Sequence, residues 1–270
     1  MVVQHNLSAI NTNRQMGVVT NALQKSTEKL SSGYKINRAA DDAAGLSISE
    51  KMRSQIRGLN KASDNAQDGI SLIQVAEGAL NETHSILQRM NELATQAAND
   101  TNTSVDRQSI KDEIKQLNEE LDRISSTTQF NKQDLLTGGF SGKLQVGALE
   151  GQTMDVKISL AVSAKGLNVS AVEVSTNAKA GAAMQSIQDA IESVSKQRSK
   201  LGAIQNRLEH TINNLDTNAE NTQAAESRIR DTDMADEMVQ YSKNNILSQA
   251  GQSMLAQANQ QTQGVLSLLG

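Results

Sequence analysis

The residue types that most often catalyse reactions or bind metals are sparse in this chain. Cysteine is absent, which excludes disulfides, thiol nucleophiles and thiolate metal ligands. The three histidines, His5, His84 and His210, lie far apart, and no His-Glu-x-x-His motif occurs. The sequence also lacks a phosphate-binding glycine loop and a Gly-x-Ser-x-Gly nucleophile motif. We therefore expect a protein that is not an enzyme and that holds no cofactor and no metal.

Two short segments, one near each end of the chain, carry clusters of charged side chains. They are Arg38, Asp41 and Asp42 in the first segment and Arg228, Arg230 and Asp231 in the second. The first cluster could be mistaken for a metal or acid/base site, but Asp41 or Asp42 fits the N-cap of a following helix better. We interpret both segments as interdomain connectors, and we expect Arg38 and Asp41 to pair with the second segment.

The composition indicates that long helices must position these side chains. Proline is absent, so no residue forbids a long helix, and aromatic residues make up only 1% of the 270 residues. The net charge of -4 without a basic stripe argues against nucleic-acid binding, and no apolar run approaches the roughly 18 residues of a membrane span. The start of the chain lacks the features of a secretory signal, so we expect any export to use another route.

Three helices with an apolar stripe are predicted in the middle of the chain. The first runs from the cap at Asp41 or Asp42 to about Ala98, and the last begins near Ala178. The repeating apolar positions of the three helices are Met52, Leu59, Ala66, Ile73, Leu80, Leu87 and Ala94, then Ile110, Ile114, Leu117, Leu121 and Ile124, then Ile187, Val194, Leu201, Leu208 and Leu215. This spacing predicts a helical bundle.

A β-hairpin is predicted between the second and third of these helices. Leu144 and Val146 alternate with polar neighbours, and the alternation resumes from Met154 to Leu160 after a glycine-containing turn. Four further apolar residues are expected to extend the sheet: Leu167, Val169, Val172 and Val174. The predicted β region therefore covers about residues 138–175.

Both ends of the chain are predicted to be amphipathic helices, the first over about residues 4–32 and the last capped by Asp233. The last helix carries a stripe spaced by four and three residues at Leu247, Gly251, Met254, Ala258, Gln261, Val265 and Leu268. We expect the two ends to pair with each other and to meet neighbouring copies. The predicted subunit-assembly residues are Leu7, Ile10, Leu23, Leu30, Leu247, Met254, Ala258, Val265 and Leu268.

The predicted fold is mainly α: an elongated helical bundle and coiled coil with a small β-hairpin region and paired N- and C-terminal helices. Residues 1–42 with 227–270 are expected to form a terminal coiled-coil domain, and residues 43–226 a helical bundle that contains the hairpin. A structural polymer subunit is the function that this organisation favours. A signalling helical hairpin is the alternative from another class, and it predicts a stable soluble dimer instead of a polymer.

Five segments of the sequence resemble signature motifs of bacterial flagellin. They lie at residues 30–46, 68–80, 201–208, 225–235 and 254–260, and they begin Leu-Ser-Ser-Gly-Tyr, Asp-Gly-Ile-Ser-Leu, Leu-Gly-Ala-Ile-Gln, Ala-Glu-Ser-Arg-Ile and Met-Leu-Ala-Gln-Ala. The resemblance covers nearly the whole chain, although many flagellins carry large outer domains where this chain has only residues 138–174. It implies a short flagellin with the inner domains only, which is a structural subunit of the filament used for swimming.

The resemblance also implies partners and a place of action. Flagellins are exported unfolded and polymerise with copies of themselves at the distal tip of the filament. The implied partners are an export chaperone, the filament cap and the hook-junction proteins, with no nucleic acid and no membrane. The implied location is secreted, in the extracellular flagellum filament. The alternative within the same resemblance is a hook–filament junction protein, which shares the terminal helices.

Residues 88–94 resemble the segment by which many flagellins engage Toll-like receptor 5, the vertebrate flagellin receptor. The receptor-binding candidates that this implies are Gln88, Arg89, Glu92, Leu93 and Glu113. Arg89 would supply bidentate hydrogen bonds and Leu93 an apolar anchor. The other interpretation is a solvated helix face, or an axial contact between subunits.

Overall fold

The computed structural model describes residues 6–269, with side chains to residue 261, and it is mainly helical as predicted. Five helices and four short strands follow one another along the chain. They are α1 (Leu7–Ser32), α2 (Ala43–Ala97), α3 (Ser104–Thr127), β1 (Gln129–Phe130), β2 (Gln133–Asp134), β3 (Phe140–Gln145), β4 (Thr153–Ile158), α4 (Asn177–Arg230) and α5 (Met234–Leu269).

The chain forms two units, each of which packs mainly against itself. The terminal unit contains the residues up to Ser54 and those from Asn221 onward, and the central unit contains Gln55–Glu220. Each unit therefore includes a part of α2 and a part of α4. None of the helices in the described part of the chain is long and apolar enough to cross a membrane.

The central unit holds the hydrophobic core. The larger of two clusters of buried side chains joins α2, α3, α4 and the β3–β4 hairpin, and the smaller one joins α2 to α4. Most of the predicted stripe positions are buried, among them Ile73, Leu80 and Leu87 of α2 and Val194 and Leu201 of α4. The predicted helical bundle is confirmed, since each helix turns its apolar stripe into the common core.

The hairpin prediction is confirmed, whereas the predicted extension of the sheet is wrong. β3 pairs with β4 in antiparallel register, with Leu144 opposite Met154. Leu167, Val169 and Val174 are buried, but they lie in the loop before α4 and join no strand. The backbone amides of this segment donate to carbonyls a few residues away, for example from Val169 to Ala164, so they do not pair with a neighbouring strand.

The short β1–β2 pair was not predicted from the sequence. It follows α3 directly and turns at Asn131 and Lys132, both of which adopt a positive φ. The usual sequence signal for such a turn is glycine, and no glycine is present here. Leu135 and Leu136, which follow β2 directly, are fully buried and fix the position of the β1–β2 pair against the core.

Side chains that cap the helices explain where several of them begin. Thr103 and Asp106 form a reciprocal capping box at the start of α3. Asp42, and not Asp41, caps α2, because its carboxylate accepts a hydrogen bond from the Gly45 amide at 2.9 Å. The Asp233 carboxylate accepts from two amides in the first turn of α5, as predicted.

Candidate functional site

Helices α1 and α5 pack against each other in antiparallel directions within the terminal unit. The Asn6 side chain donates a hydrogen bond to the carbonyl of Ala258 at 2.9 Å, and near the other end Lys29 pairs with Glu237 at 3.4 Å. Their least exposed residues follow heptad spacing on each helix, at Ala9, Thr12, Met16, Val19, Leu23, Ser26 and Leu30, and at Glu237, Tyr241, Asn244, Ser248, Gly251, Leu255 and Ala258. The predicted pairing of the two ends is confirmed.

The observed contact face of α5 differs in part from the predicted stripe. Gly251 and Ala258 lie in the contact face, but Leu247 and Met254 lie at its edge and are 44% and 57% exposed. Gly251 faces α1 directly, because a Cβ added to it would lie 3.8 Å from Cγ of Met16, and small residues at such a position let two helices approach closely. Leu247 and Met254 lie at the edge of this face, where they line a groove of about 450 Å³ with Met16 of α1.

Large apolar side chains are exposed on the outward faces of both helices. Most of the exposed large hydrophobic residues among the described side chains lie on α1 and α5, including Leu7, Ile10, Val239 and Ile246. Of the predicted assembly residues, Leu23 and Leu30 are half-buried, Ala258 is buried, and the side chains of Val265 and Leu268 lie outside the described part. We name the exposed apolar surface of α1 and α5 the terminal apolar surface.

The terminal unit buries few apolar side chains of its own. Among its described residues, Ile36 and Ala258 are the hydrophobic side chains that are less than a tenth exposed. Exposed apolar patches of this kind mark interaction sites in soluble proteins, because water contact with apolar surface is unfavourable.

Two connectors, residues 33–42 and 231–233, are joined through their backbones. The amide of Lys35 donates to the carbonyl of Arg230 at 2.7 Å, and the amide of Thr232 donates to the carbonyl of Gly33 at 3.0 Å. Between these bonds, Tyr34 and Asp231 form an antiparallel bridge. The connector that leads into α2 and the connector that leads into α5 therefore lie side by side.

The Arg230 side chain reinforces this junction. Its guanidinium lies 4.6 Å from the centre of the Tyr34 ring and donates to the Glu50 carboxylate at 2.9 Å. Nearby, the fully buried Ser49 hydroxyl donates to Glu226 at 2.9 Å. Sequence analysis missed Tyr34, Ser49, Glu50 and Glu226, although Tyr34 lies within one of the quoted motifs.

The predicted side-chain pairing between the connectors is wrong. Arg38 instead pairs with Glu28 through two hydrogen bonds of 3.0 and 3.2 Å. The Asp41 carboxylate accepts from the backbone amides of Arg38 and Asn37, and the bond from Arg38 is the main reason that the pKa of Asp41 is lowered. Asp41 is thus used to shape its own turn, since a carboxylate can reach amides three and four residues away.

The receptor-binding candidates lie on neighbouring faces of α2 and α3, with one exception. Arg89 donates to Glu113 of α3 at 2.9 Å and to Glu92 at 3.2 Å, and the bond to Glu113 is the main reason that the pKa of Arg89 is raised. Gln88 is exposed beside them. Leu93 is only 2% exposed and belongs to the core, so the prediction of an apolar anchor on the surface is wrong.

Carboxylate and imidazole side chains that lie close together can hold a metal ion. Within the described residues, no group of three or more histidine, aspartate or glutamate side chains is placed to hold a metal ion. The candidate functional site is the terminal apolar surface together with the junction between residues 33–42 and 231–233, where an exposed apolar surface and long-range backbone bonds are observed.

Comparison with known proteins identifies the family. The family model of the bacterial flagellin N-terminal helical region matches residues 3–141, and that of the C-terminal helical region matches residues 184–269. A flagellin of Halalkalibacterium halodurans is 56% identical over the full length of both chains. The chain belongs to the bacterial flagellin family.

Other relatives agree with this membership in length and in fold. A Bacillus subtilis flagellin is 51% identical over the full length of both chains. The crystal structure of a Bacillus cereus flagellin, 34% identical, superposes with a TM-score of 0.51 over 60% of this flagellin and 94% of that chain. A putative flagellar hook-associated protein of Vibrio parahaemolyticus shares the fold, with a TM-score of 0.60 over 71% of this chain and all of its own, at only 15% identity.

These relatives establish the function at the level of the family. This flagellin is a structural subunit of the bacterial flagellar filament, an extracellular appendage. The hook–filament junction alternative is not favoured, because the full-length relatives at about half identity are flagellins.

Proposed function

We propose that this flagellin polymerises through the terminal apolar surface. The observation that carries the proposal is the contrast between the two units. The central unit buries a continuous core, whereas the terminal unit exposes residues such as Leu7, Ile10, Val239 and Ile246. Covering these side chains with neighbouring copies removes their apolar area from water, at about 25 cal/mol for each Å².

The predicted assembly residues fall into those that contact neighbouring copies and those that join α1 to α5. Leu7, Ile10, Leu247 and Met254 are exposed and contact neighbouring copies directly. Leu23, Leu30 and Ala258 lie in the α1–α5 contact face and hold the two helices together. Val265 and Leu268 continue the stripe of the sequence toward the end of α5.

The two predicted domains take different positions in the proposed filament. Residues 1–42 with 227–270 form an inner tube, and residues 43–226 form an outer tube around it. The division of the fold into a terminal and a central unit supports two parts, with the boundary lying further into α2.

The same surface bears on how the subunit reaches the filament. We infer that the chain is secreted unfolded through the flagellar export route and assembles at the distal tip, beneath the filament cap and beyond the hook-junction proteins. An export chaperone would cover the apolar stripe of α5 before assembly, because such a stripe otherwise promotes aggregation.

Seeded polymerisation of the purified monomer tests the assembly proposal. We expect long filaments by negative-stain electron microscopy from the wild type, and few or none from the Leu247→Gln/Met254→Gln double variant. The matched control is Leu149→Gln, because Leu149 is also exposed but lies in the turn of the β3–β4 hairpin. A wild-type protein that remains a soluble dimer, or a double variant that polymerises like the control, would refute the proposal.

We also propose that the α2–α3 face is recognised by Toll-like receptor 5. The observation that favours it is the exposure of Gln88, Arg89, Glu92 and Glu113 on adjacent helices, with Arg89 joined to both carboxylates. Charged groups held in fixed geometry can accept a partner with little loss of side-chain entropy.

A receptor reporter-cell assay with purified monomer tests this second proposal. Arg89→Ala is expected to lower the response, and Arg123→Ala is the matched control because Arg123 forms a similar exposed ion pair, with Glu120. Equal responses from the two variants would show that Arg89 is not used for recognition.

A further inference from the structure

The most exposed and the most buried of the described methionines lie in different parts of the fold. Met234, Met238 and Met254 are 48%, 49% and 57% exposed, and all three lie on α5. Met90 and Met154, by contrast, are buried in the core of the central unit. The exposed thioethers are therefore concentrated on the helix that contributes most to the terminal apolar surface.

We propose that Met234, Met238 and Met254 form a modification site at which peroxides oxidise the free subunit and block its assembly. In the reaction, the thioether sulfur attacks one oxygen of the hydroperoxide and breaks the O–O bond. The oxygen carried to sulfur passes its proton to the departing hydroxide, so the sulfur is oxidised to a sulfoxide and hydrogen peroxide is reduced to one molecule of water. The step needs no group other than the thioether and the peroxide.

The position of these residues explains why oxidation would act on assembly and leave the fold intact. The face of α5 that contacts α1 contains no methionine among its described residues. Oxidation on α5 therefore modifies the outward surface and spares the contact face. The sulfoxide oxygen is a strong hydrogen-bond acceptor, and covering it with an apolar surface of a neighbouring copy leaves it unpaired.

Met254 is the residue at which this effect is expected to be largest. It lines the apolar groove with Leu247 and with Met16 of α1. This part of the inference rests on the proposed function, because the groove matters only if a second copy covers it.

Three methionines of the central unit, Met90, Met154 and Met184, provide internal controls. Met90 and Met154 are too buried for a peroxide to reach in the folded chain. Met184 is half-buried, and its sulfur lies 3.3 Å from the Thr95 hydroxyl oxygen. Because peroxide has less access to a half-buried sulfur, we expect Met184 to react more slowly than the three α5 methionines.

The first experiment measures the site without reference to assembly. Folded monomer is treated with hydrogen peroxide, and sulfoxide formation is followed by peptide mass spectrometry. Met234, Met238 and Met254 are expected to oxidise first, while Met90 and Met154 remain reduced. Oxidation of Met90 as fast as Met254 would overturn the inference.

The second experiment measures seeded polymerisation of treated and untreated monomer. Untreated monomer is expected to polymerise, and treated monomer is expected to show a critical concentration about tenfold higher, equivalent to about 1.4 kcal/mol. An unchanged critical concentration would overturn the inference and leave the proposed function standing. Failure of the untreated monomer to polymerise would overturn the proposed function and this inference with it.

A variant separates the α5 methionines from all the others. The triple substitution Met234→Leu/Met238→Leu/Met254→Leu keeps apolar side chains of similar volume that peroxide does not oxidise, and leucine favours helices. The triple variant is expected to polymerise equally well before and after peroxide treatment. Met90→Leu, the matched control, is expected to remain sensitive. A triple variant as sensitive as Met90→Leu would place the effect elsewhere and overturn the inference.

Discussion

Substitutions at two isoleucines in long helices can test the stability of the subunit and its assembly independently. Ile73 of α2 is fully buried in the central core, and Ile246 of α5 is 65% exposed on the terminal apolar surface. Replacing each with alanine makes the same chemical change in two surroundings. We expect Ile73→Ala to destabilise the monomer and Ile246→Ala to weaken polymerisation.

The magnitudes follow from burial. Ile73→Ala removes a fully buried side chain and leaves a cavity, which costs about 2–5 kcal/mol of unfolding free energy. Ile246→Ala loses little in the monomer, and the better helix propensity of alanine offsets part of that loss. If assembly buries the exposed two thirds of Ile246, the substitution costs about 1–2 kcal/mol there, which raises the critical concentration roughly 5- to 30-fold.

Two assays on the same samples test these expected effects of Ile73→Ala and Ile246→Ala. Urea unfolding followed by circular dichroism gives the free energy of unfolding, and seeded growth gives the critical concentration. The reasoning is refuted if Ile246→Ala lowers the free energy of unfolding as much as Ile73→Ala does. It is equally refuted if Ile246→Ala leaves the critical concentration unchanged.

Three further substitutions test local features. Gly138→Ala is expected to cost about 1 kcal/mol or more in urea unfolding, because its φ is +92° and the new Cβ would lie 2.8 Å from that of Ala161. Thr103→Ala removes the cap of α3 and should cost about 1 kcal/mol. Hydrogen bonds from Thr103 lower the pKa of Asp106 in the folded state. The stability that these bonds contribute is therefore present at neutral pH and is lost as the pH falls through the folded pKa. Because Thr103→Ala lacks the side-chain bond, its free energy of unfolding should fall less between neutral and acid pH than that of the wild type. Arg230→Leu is expected to speed tryptic cleavage in connector 33–42, because the guanidinium contact with the tyrosine ring there is lost.

Each of these substitutions has a matched control nearby. Gly139→Ala adds a Cβ with no heavy atom within 4 Å, and Thr101→Ala lies outside the capping box. Arg228→Leu changes an exposed arginine in the same turn of α4 as Arg230. A control that behaves like its test variant would show that the loss of the general residue type, and not the named contact, causes the effect.

Much of the central unit could be predicted from spacing alone. Heptads in α2 and α4 placed residues such as Leu80 and Leu201 in the core, and alternation placed Met154 and Val156 on the inner face of the hairpin. The loop before α4 was misassigned because Leu167 and Val169 show the same alternation as a strand. Hydrophobic alternation reports burial, and burial does not require a hydrogen-bonded ladder.

The functional residues were less predictable, because their roles depend on which partner each side chain meets. Leu93 belongs to a motif resembling a receptor-binding segment, yet it faces the core. The two connectors were expected to meet through Arg38 and Asp41, but they meet through backbone amides and carbonyls. A backbone contact between segments so far apart in the chain leaves no residue-type signal in a single sequence.

The sequence by itself determined that this flagellin is helical, where most of its helices begin and end, and that its two ends carry apolar stripes. Helical periodicity and capping chemistry are local, so they can be inferred from neighbouring residues. Only the tertiary structure decided that Gly251 and Ala258 face α1 while Leu247 and Met254 lie at the edge of the contact. Both sets repeat every seven residues, and the choice between them depends on how closely the partner helix can approach.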